Sequence, residues 1–168
     1  MLRVLASVFI AALLATTANA GTRIEQIKTA DRYVYSTWHY QRVMGHNLTP
    51  SHFTYRTTKS DEYRSWVVRY WKRVLDRTYR EFQNVPYKSA WICIHSGEGA
   101  WDDPNAPYYG GLQMDLGFQS HYGNYLLSTK GTADNWTPLE QMWVAYKAAR
   151  SGRGFYPWPN TARDCGLI

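Results

Sequence analysis

Three observations predict a mainly α, single-domain fold for this 168-residue chain. Residues 61–83 carry aromatic and apolar side chains at three- and four-residue spacing. Thr137-Pro138-Leu139-Glu140 is a complete helix-start signal, with a capping box and proline at the first helical position. No stretch alternates apolar and polar residues for long enough to make a useful strand.

The elements follow in chain order. Residues 1–20 read as an export signal. Arg3 is its positive start, Val4 to Leu14 its apolar core, and Ala18-Asn19-Ala20 its small-x-small end, with cleavage expected before Gly21. That core is shorter than the roughly 20 residues that span a bilayer, and an uncleaved N-terminal anchor is the alternative reading. Residues 21–59 show no steady period, although Tyr33, Tyr35, Trp38, Tyr40, Phe53 and Tyr55 argue against plain disorder. Gly45 to Pro50 reads as a loop.

The helix at 61–83 has Ser60 as its N-cap and Asp61 and Glu62 in its first turn. Its apolar face includes Tyr63, Trp66, Val67, Tyr70, Trp71, Val74, Tyr79 and Phe82. Arg64, Arg69, Lys72, Arg73, Arg77 and Arg80 fall mostly on the other side. Such a basic stripe is either a solvated face or a surface for an anionic polymer. Asn84-Val85-Pro86 ends the helix. A second helix is predicted over 89–98, with Trp91, Ile94, His95 and Glu98 on one face. Residues 99–111 read as loop, 116–125 as a short helix, and the helix from Pro138 closes at Ser151-Gly152. The tail Gly154 to Pro159 reads as irregular.

The net charge of +6 favours an anionic partner. Nucleic acid is not expected, because the chain has no Lys/Arg block, zinc-ligand repeat or RNA-binding signature and carries an export signal. Two cysteines in an exported chain favour a Cys93–Cys165 disulfide, the alternative being two buried thiols. The bridge would close a loop of about 70 residues, for which chain entropy gives roughly 4 kcal/mol.

One carboxylic acid, Glu98, ends an apolar helix and precedes an aromatic, glycine-rich loop. A general acid near neutral pH must stay protonated. Burial against Trp91, Ile94 and Trp101 would favour that, as would the negative end of the helix. Trp101, Tyr108 and Tyr109 offer flat faces with polar tips, and Gly110 and Gly111 permit close backbone approach. Gln113 can donate and accept towards an acetamido group. Among Asp102, Asp103, Asp115 and Asp134, Asp115 is the best candidate for a second carboxylate. Cys93-x-His95 lacks the partners of a metal site, and no metal or other cofactor is expected. Asn47-Leu48-Thr49 and Asn135-Trp136-Thr137 fit the glycosylation triplet.

Glu98-Gly99-Ala100-Trp101, a loop through Asp102 to Pro107, and Gly111-Leu112-Gln113-Met114 resemble soluble lytic transglycosylases, whose pattern is Glu-Ser-x-Phe, a loop, then Gly-Leu-Met-Gln. Tyr108-Tyr109-Gly110-Gly111-Leu112-Gln113 is more similar to the lysozyme-like domain of resuscitation-promoting factors. So are the cysteine on the helix and the second one after Trp158-Pro159. The similarity covers about residues 87–168, and residues 21–86 form an added aromatic-rich extension with a long helix. Two positions depart: Ile94, not glutamate, follows Cys93, and Gly99 replaces the serine.

The resemblance implies a lysozyme-like fold and a secreted or wall-associated enzyme acting on peptidoglycan glycan strands. It implies cleavage of the MurNAc-GlcNAc β-1,4 bond by Glu98 alone; the residue types around Glu98 themselves suggest substrate contacts from Trp101, Tyr108, Tyr109, Gln113 and Asp115. The substrate's N-acetyl group would assist, and the muramic 6-hydroxyl or a water would complete the reaction. The alternative is a non-catalytic wall-binding or signalling protein on the same fold, with anionic wall polymers as further partners.

Overall fold

The computed structural model describes residues 22–168 with their side chains, and the backbone of the first helix from Arg3. The expected export signal at 1–20 and its cleavage point lie outside the residues described with their side chains. The elements are α1 (Arg3–Met44), α2 (Asp61–Gln83), α3 (Lys88–Glu98), β1 (Tyr108–Tyr109), β2 (Met114–Asp115), α4 (Leu116–Tyr122), α5 (Asn124–Lys130), α6 (Pro138–Ala148) and α7 (Pro159–Asp164). The fold is mainly α, and β1 and β2 form a two-residue antiparallel hairpin, Tyr108 opposite Asp115 and Tyr109 opposite Met114. Among the described residues no helix is long and apolar enough to cross a membrane.

The chain forms two compact units, one from Met1–Trp38 and Thr49–Arg77, the other from His39–Leu48 and Thr78–Ile168. In the first unit the core joins Ala30 and Val34 of α1, Tyr55, and Val67, Trp71 and Val74 of α2. Residues 22–44 are helical where the sequence showed no period. The reason is that α1 buries Ala30, Val34 and Thr37 at offsets of four and three, and alanine and threonine hide an apolar stripe. Ser60 Oγ caps α2 by accepting from the Tyr63 amide at 3.1 Å, as the sequence indicated.

The faces of α2 need correction. Arg64 is buried, at 2 % exposure, not part of the solvated stripe. Its guanidinium donates to Gln26 Oε1 at 2.9 Å, to the Thr58 carbonyl at 2.6 Å and to Asp61. A buried cation survives only with its donors satisfied in this way. Conversely Tyr63, Trp66 and Tyr79 are exposed. The inward stripe is narrower than the apolar pattern suggested, and its edges are aromatic.

The second unit is built on Trp91, Ile94, Leu112, Met114, Leu126, Trp143 and Trp158. Its indoles are satisfied on the backbone: Trp91 donates to Pro86, Trp143 to Phe82 and Trp158 to Leu112, at 2.6–2.9 Å. The single helix expected over 116–125 is two, broken at Gly123. The Trp136 ring sits so close that a Cβ at Gly123 would lie 2.6 Å from it. The tail also contains α7, and the expected 99–111 loop contains β1. Cys93 on α3 and Cys165 after α7 form a disulfide.

The capping box of α6 is present: Thr137 Oγ1 accepts from the Glu140 amide and Glu140 Oε2 from the Thr137 amide. Glu140 is buried at 2 % exposure, yet accepts from Lys130 Nζ at 2.8 Å and lies 3.0 Å from His39 Nε2. Burial alone would push its carboxyl up, but the bonds from His39, Lys130 and the Thr137 amide outweigh it and hold it at about 2. The stabilisation is therefore complete above pH 4.5, the ordinary glutamate value, and is lost as pH falls towards 2. Glu140→Ala should cost about 1–3 kcal/mol in urea unfolding at pH 7, since it removes charge-assisted bonds from the partly exposed His39 and Lys130 and half of the α6 capping box. The loss should shrink between pH 4.5 and 2, and a pH-independent loss would disprove the assignment.

Candidate active site

Glu98 is the last residue of α3, on the helix whose Trp91 and Ile94 are fully buried. Its Oε1 accepts from Thr161 Oγ1 of α7 at 2.6 Å, and it is half-buried. The carboxyl is thus held by a hydroxyl on α7, whereas Trp91 and Ile94, expected to bury it, face the core. Gly97 makes the approach of α7 possible, because a Cβ there would stand 2.7 Å from Thr161 Cγ2. Sequence reasoning missed Thr161. The signal was available in the disulfide, which ties α3 to the helix turn that holds Thr161.

Beyond Glu98 the chain turns back through the hairpin. Gly110 and Gly111 sit where side chains cannot. A Cβ at Gly110 would lie 2.6 Å from Gln141 Oε1, and Gly110 has a φ of 72°. A Cβ at Gly111 would lie 2.6 Å from His95 Nδ1 and 2.8 Å from the Trp101 ring. His95 stacks on Trp101 with centroids 3.9 Å apart, and its Nδ1 is 3.1 Å from the Gly111 carbonyl. Gln113 adopts a φ of 45° and donates through Nε2 to Asp103 Oδ2 at 2.9 Å and the Gly110 carbonyl at 3.0 Å. The Asn105 amide and Gln113 hold the Asp103 carboxyl below its ordinary range.

Tyr108, Gln113 and Asp115 are brought together on one cleft of about 300 Å³, with Phe118, Arg153 and Trp158. Trp101 and Tyr109 do not line it: Trp101 is stacked on His95, and Tyr109 packs against the core. Asp115 caps α4, its Oδ1 accepting from the Phe118 amide at 2.6 Å. Glu98 is not among the residues that line the cleft. The next residue, Gly99, abuts Gln113, whose Nε2 would be 3.2 Å from a Cβ placed there. Thr161, which bonds Glu98, lies one turn beyond Trp158.

Phe118 and Arg153 were not anticipated from sequence. Arg153 lies in the irregular turn after α6, with its guanidinium carbon 5.7 Å from the Phe118 ring centre. A larger hollow of about 560 Å³ lies in the first unit beside Gln26, Ser65 and Val68, with Glu25 and Arg69 as its titratable groups. Its lining brings no acid, base or nucleophile into one array, so the 300 Å³ cleft is the better chemical site despite its smaller size. Cys93 is bonded to Cys165, so Cys93-x-His95 offers no thiolate for metal or for nucleophilic attack. Among the described residues no group of three or more His, Cys, Asp or Glu could hold a metal ion.

Compared with known proteins, the chain has no significant match to a family model, a curated protein or a solved structure.

Gly111→Ala should destabilise the protein by about 1–3 kcal/mol, because the methyl has no room beside His95 and Trp101. Thermal unfolding measures the loss. An unchanged midpoint would show that the His95–Trp101 stack yields.

Proposed function

We propose that this chain is an exported enzyme with a lysozyme-like catalytic unit that cuts peptidoglycan glycan strands at the MurNAc-GlcNAc β-1,4 bond. The observation that carries the reading is the setting of Glu98. One carboxyl oxygen accepts from Thr161, one turn after Trp158, and the following residue, Gly99, abuts Gln113; Trp158 and Gln113 both line the cleft. Glu98 in its protonated form donates to the bridging oxygen as the glycosidic bond breaks. The N-acetyl oxygen of the substrate stabilises the anomeric carbon. Glu98, now a carboxylate, takes a proton from the muramic 6-hydroxyl, which closes an anhydro ring, or from a water, which hydrolyses the strand.

The cleft supports that reading. Tyr108 and Trp158 offer aromatic faces and Gln113 an amide, the partners a pyranose with an acetamido group needs. Arg153 supplies a cation for a carboxylate on the substrate. Asp115 is engaged as a helix cap, which leaves Glu98 as the one acid in the scheme. The disulfide fits an oxidising compartment, and the fully exported or wall-associated location belongs to this proposal. One observation favours the alternative, a non-cleaving glycan-binding protein: the Glu98 carboxyl is not among the groups that line the cleft.

Digestion of purified peptidoglycan by the protein and by Glu98→Gln, with products read by mass spectrometry, tests the proposal. The expected result is muropeptide release that falls about 10²–10⁴-fold in Glu98→Gln, the usual contribution of a general acid–base. Anhydro ends would define a transglycosylase and reducing ends a hydrolase. Equal cleavage by both proteins would refute Glu98 as the acid. Binding without cleavage by either would establish the alternative.

A further inference from the structure

Along α2, Tyr63, Trp66, Tyr70, Arg73 and Arg77 follow one another at offsets of three, four, three and four. That spacing makes one continuous stripe on the helix surface. The stripe lies beside the buried face made by Val67, Trp71 and Val74. Trp66 is 49 % exposed and Tyr63 38 %, unusual for rings of this size on one helix.

The three rings are nearly parallel. Tyr63 and Trp66 have centroids 5.9 Å apart and planes inclined by 19°, and Trp66 and Tyr70 are 5.5 Å apart at 17°. Atoms in full face contact would stand about 3.5–4.0 Å apart. At the observed separations neighbouring rings are slid past one another, and part of each face stays open. The loop through His52, Phe53 and Thr54 walls this row, leaving a groove of about 230 Å³. Thr54 Oγ1 is 2.8 Å from the Tyr63 hydroxyl, so the wall is polar where it meets the rings. Phe53 has a φ of 54° and sits under the Arg56 guanidinium, 4.2 Å from its ring centre.

Open aromatic faces with hydroxyl and indole tips suit pyranose rings, whose C–H faces stack while their hydroxyls bond to the tips. The stripe then ends in two exposed guanidiniums, Arg73 and Arg77. Lys72 on the same helix is paired with Asp76, but neither arginine pairs with a carboxylate among the described residues. Arginine presents a planar fork that matches a carboxylate.

We propose that Tyr63, Trp66, Tyr70, Arg73 and Arg77 form a second glycan site, separate from the Glu98 cleft, that holds a β-linked polysaccharide strand bearing carboxylates. Sugars stack on the three rings, and carboxylates meet the two arginines. That the strand is wall glycan with lactyl carboxylates rests on the proposed function; the stacking-and-cation chemistry does not. Single-stranded nucleic acid is read by the same two chemistries. The Cys93–Cys165 disulfide, a mark of oxidising compartments, favours the polysaccharide.

The test is tryptophan fluorescence titration of the full-length Glu98→Gln protein, which keeps strands intact if the enzyme proposal holds. The probes are peptide-free peptidoglycan glycan strands, chitohexaose and oligo-dT. Tyr63→Ala/Trp66→Ala should weaken strand binding, read by pull-down with insoluble glycan, at least tenfold. Trp66→Phe should retain most of it, which separates stacking from misfolding. Arg73→Gln/Arg77→Gln should weaken the anionic strands at low salt and leave chitohexaose unchanged. Unchanged strand binding in the aromatic double variant, or tighter binding of oligo-dT than of strands, would overturn the site. Strand binding that needs these residues, in a protein that cleaves nothing, would uphold the site and reject the enzyme; cleavage with no dependence on them would do the reverse.

Discussion

Cys93 and Cys165 hold α3 and α7 together, and the side chains of those two helices meet at Glu98. Neither helix is long: α3 has 11 residues and α7 six. A six-residue helix has no stability of its own in water. It is ordered by the bridge, by Trp158 buried in the core, and by the fit of Thr161 against Gly97. The hydroxyl that clamps the carboxyl is therefore only as well placed as the covalent link behind it. A bridge spanning 72 residues removes roughly 4 kcal/mol of chain entropy from the unfolded state.

The other side of the cleft depends on buried amides. Gln119 donates to the Met114 carbonyl at 2.7 Å and accepts from the Ala133 amide at 3.0 Å, which joins β2 to the turn before α6. Gln141 donates to the carbonyls of Trp101, Ala133 and Trp136 at 2.7–3.1 Å. Its Oε1 has no hydrogen-bond donor and faces Gly110, so a polar atom is spent on shaping the glycine turn. Such groups are costly unless they fix a conformation that packing alone would not. Here they fix the hairpin that carries Tyr108, Gln113 and Asp115.

Much of this was legible in the sequence where local chemistry decides structure. The capping box before α6, the Ser60 cap of α2 and the disulfide pairing are short-range or compositional signals, and each has the expected form. Helix α1 was illegible because its inward stripe uses Ala30 and Thr37, which carry little apolar signal. Arg64 misled because charge predicts exposure unless Gln26 and the Thr58 carbonyl happen to converge on it, and that convergence is tertiary. At the cleft, residue types in the Tyr-Tyr-Gly-Gly-Leu-Gln run pointed to Tyr108 and Gln113. They could not separate these from Trp101 and Tyr109, which turn to the protein interior, nor bring in Arg153 from a turn 40 residues further along.

The two units are threaded rather than strung. The chain passes between them after Trp38, after Leu48 and again after Arg77. The second unit's core includes Val43, Met44, Phe82 and Val85 along with the residues that follow them. A gene segment starting at residue 87 would therefore encode a chain missing part of its own interior, and lacking the His39 that meets Glu140. The cleft is not a cassette that recombination could lift from its surroundings; it can be inherited only with the helices that come before it.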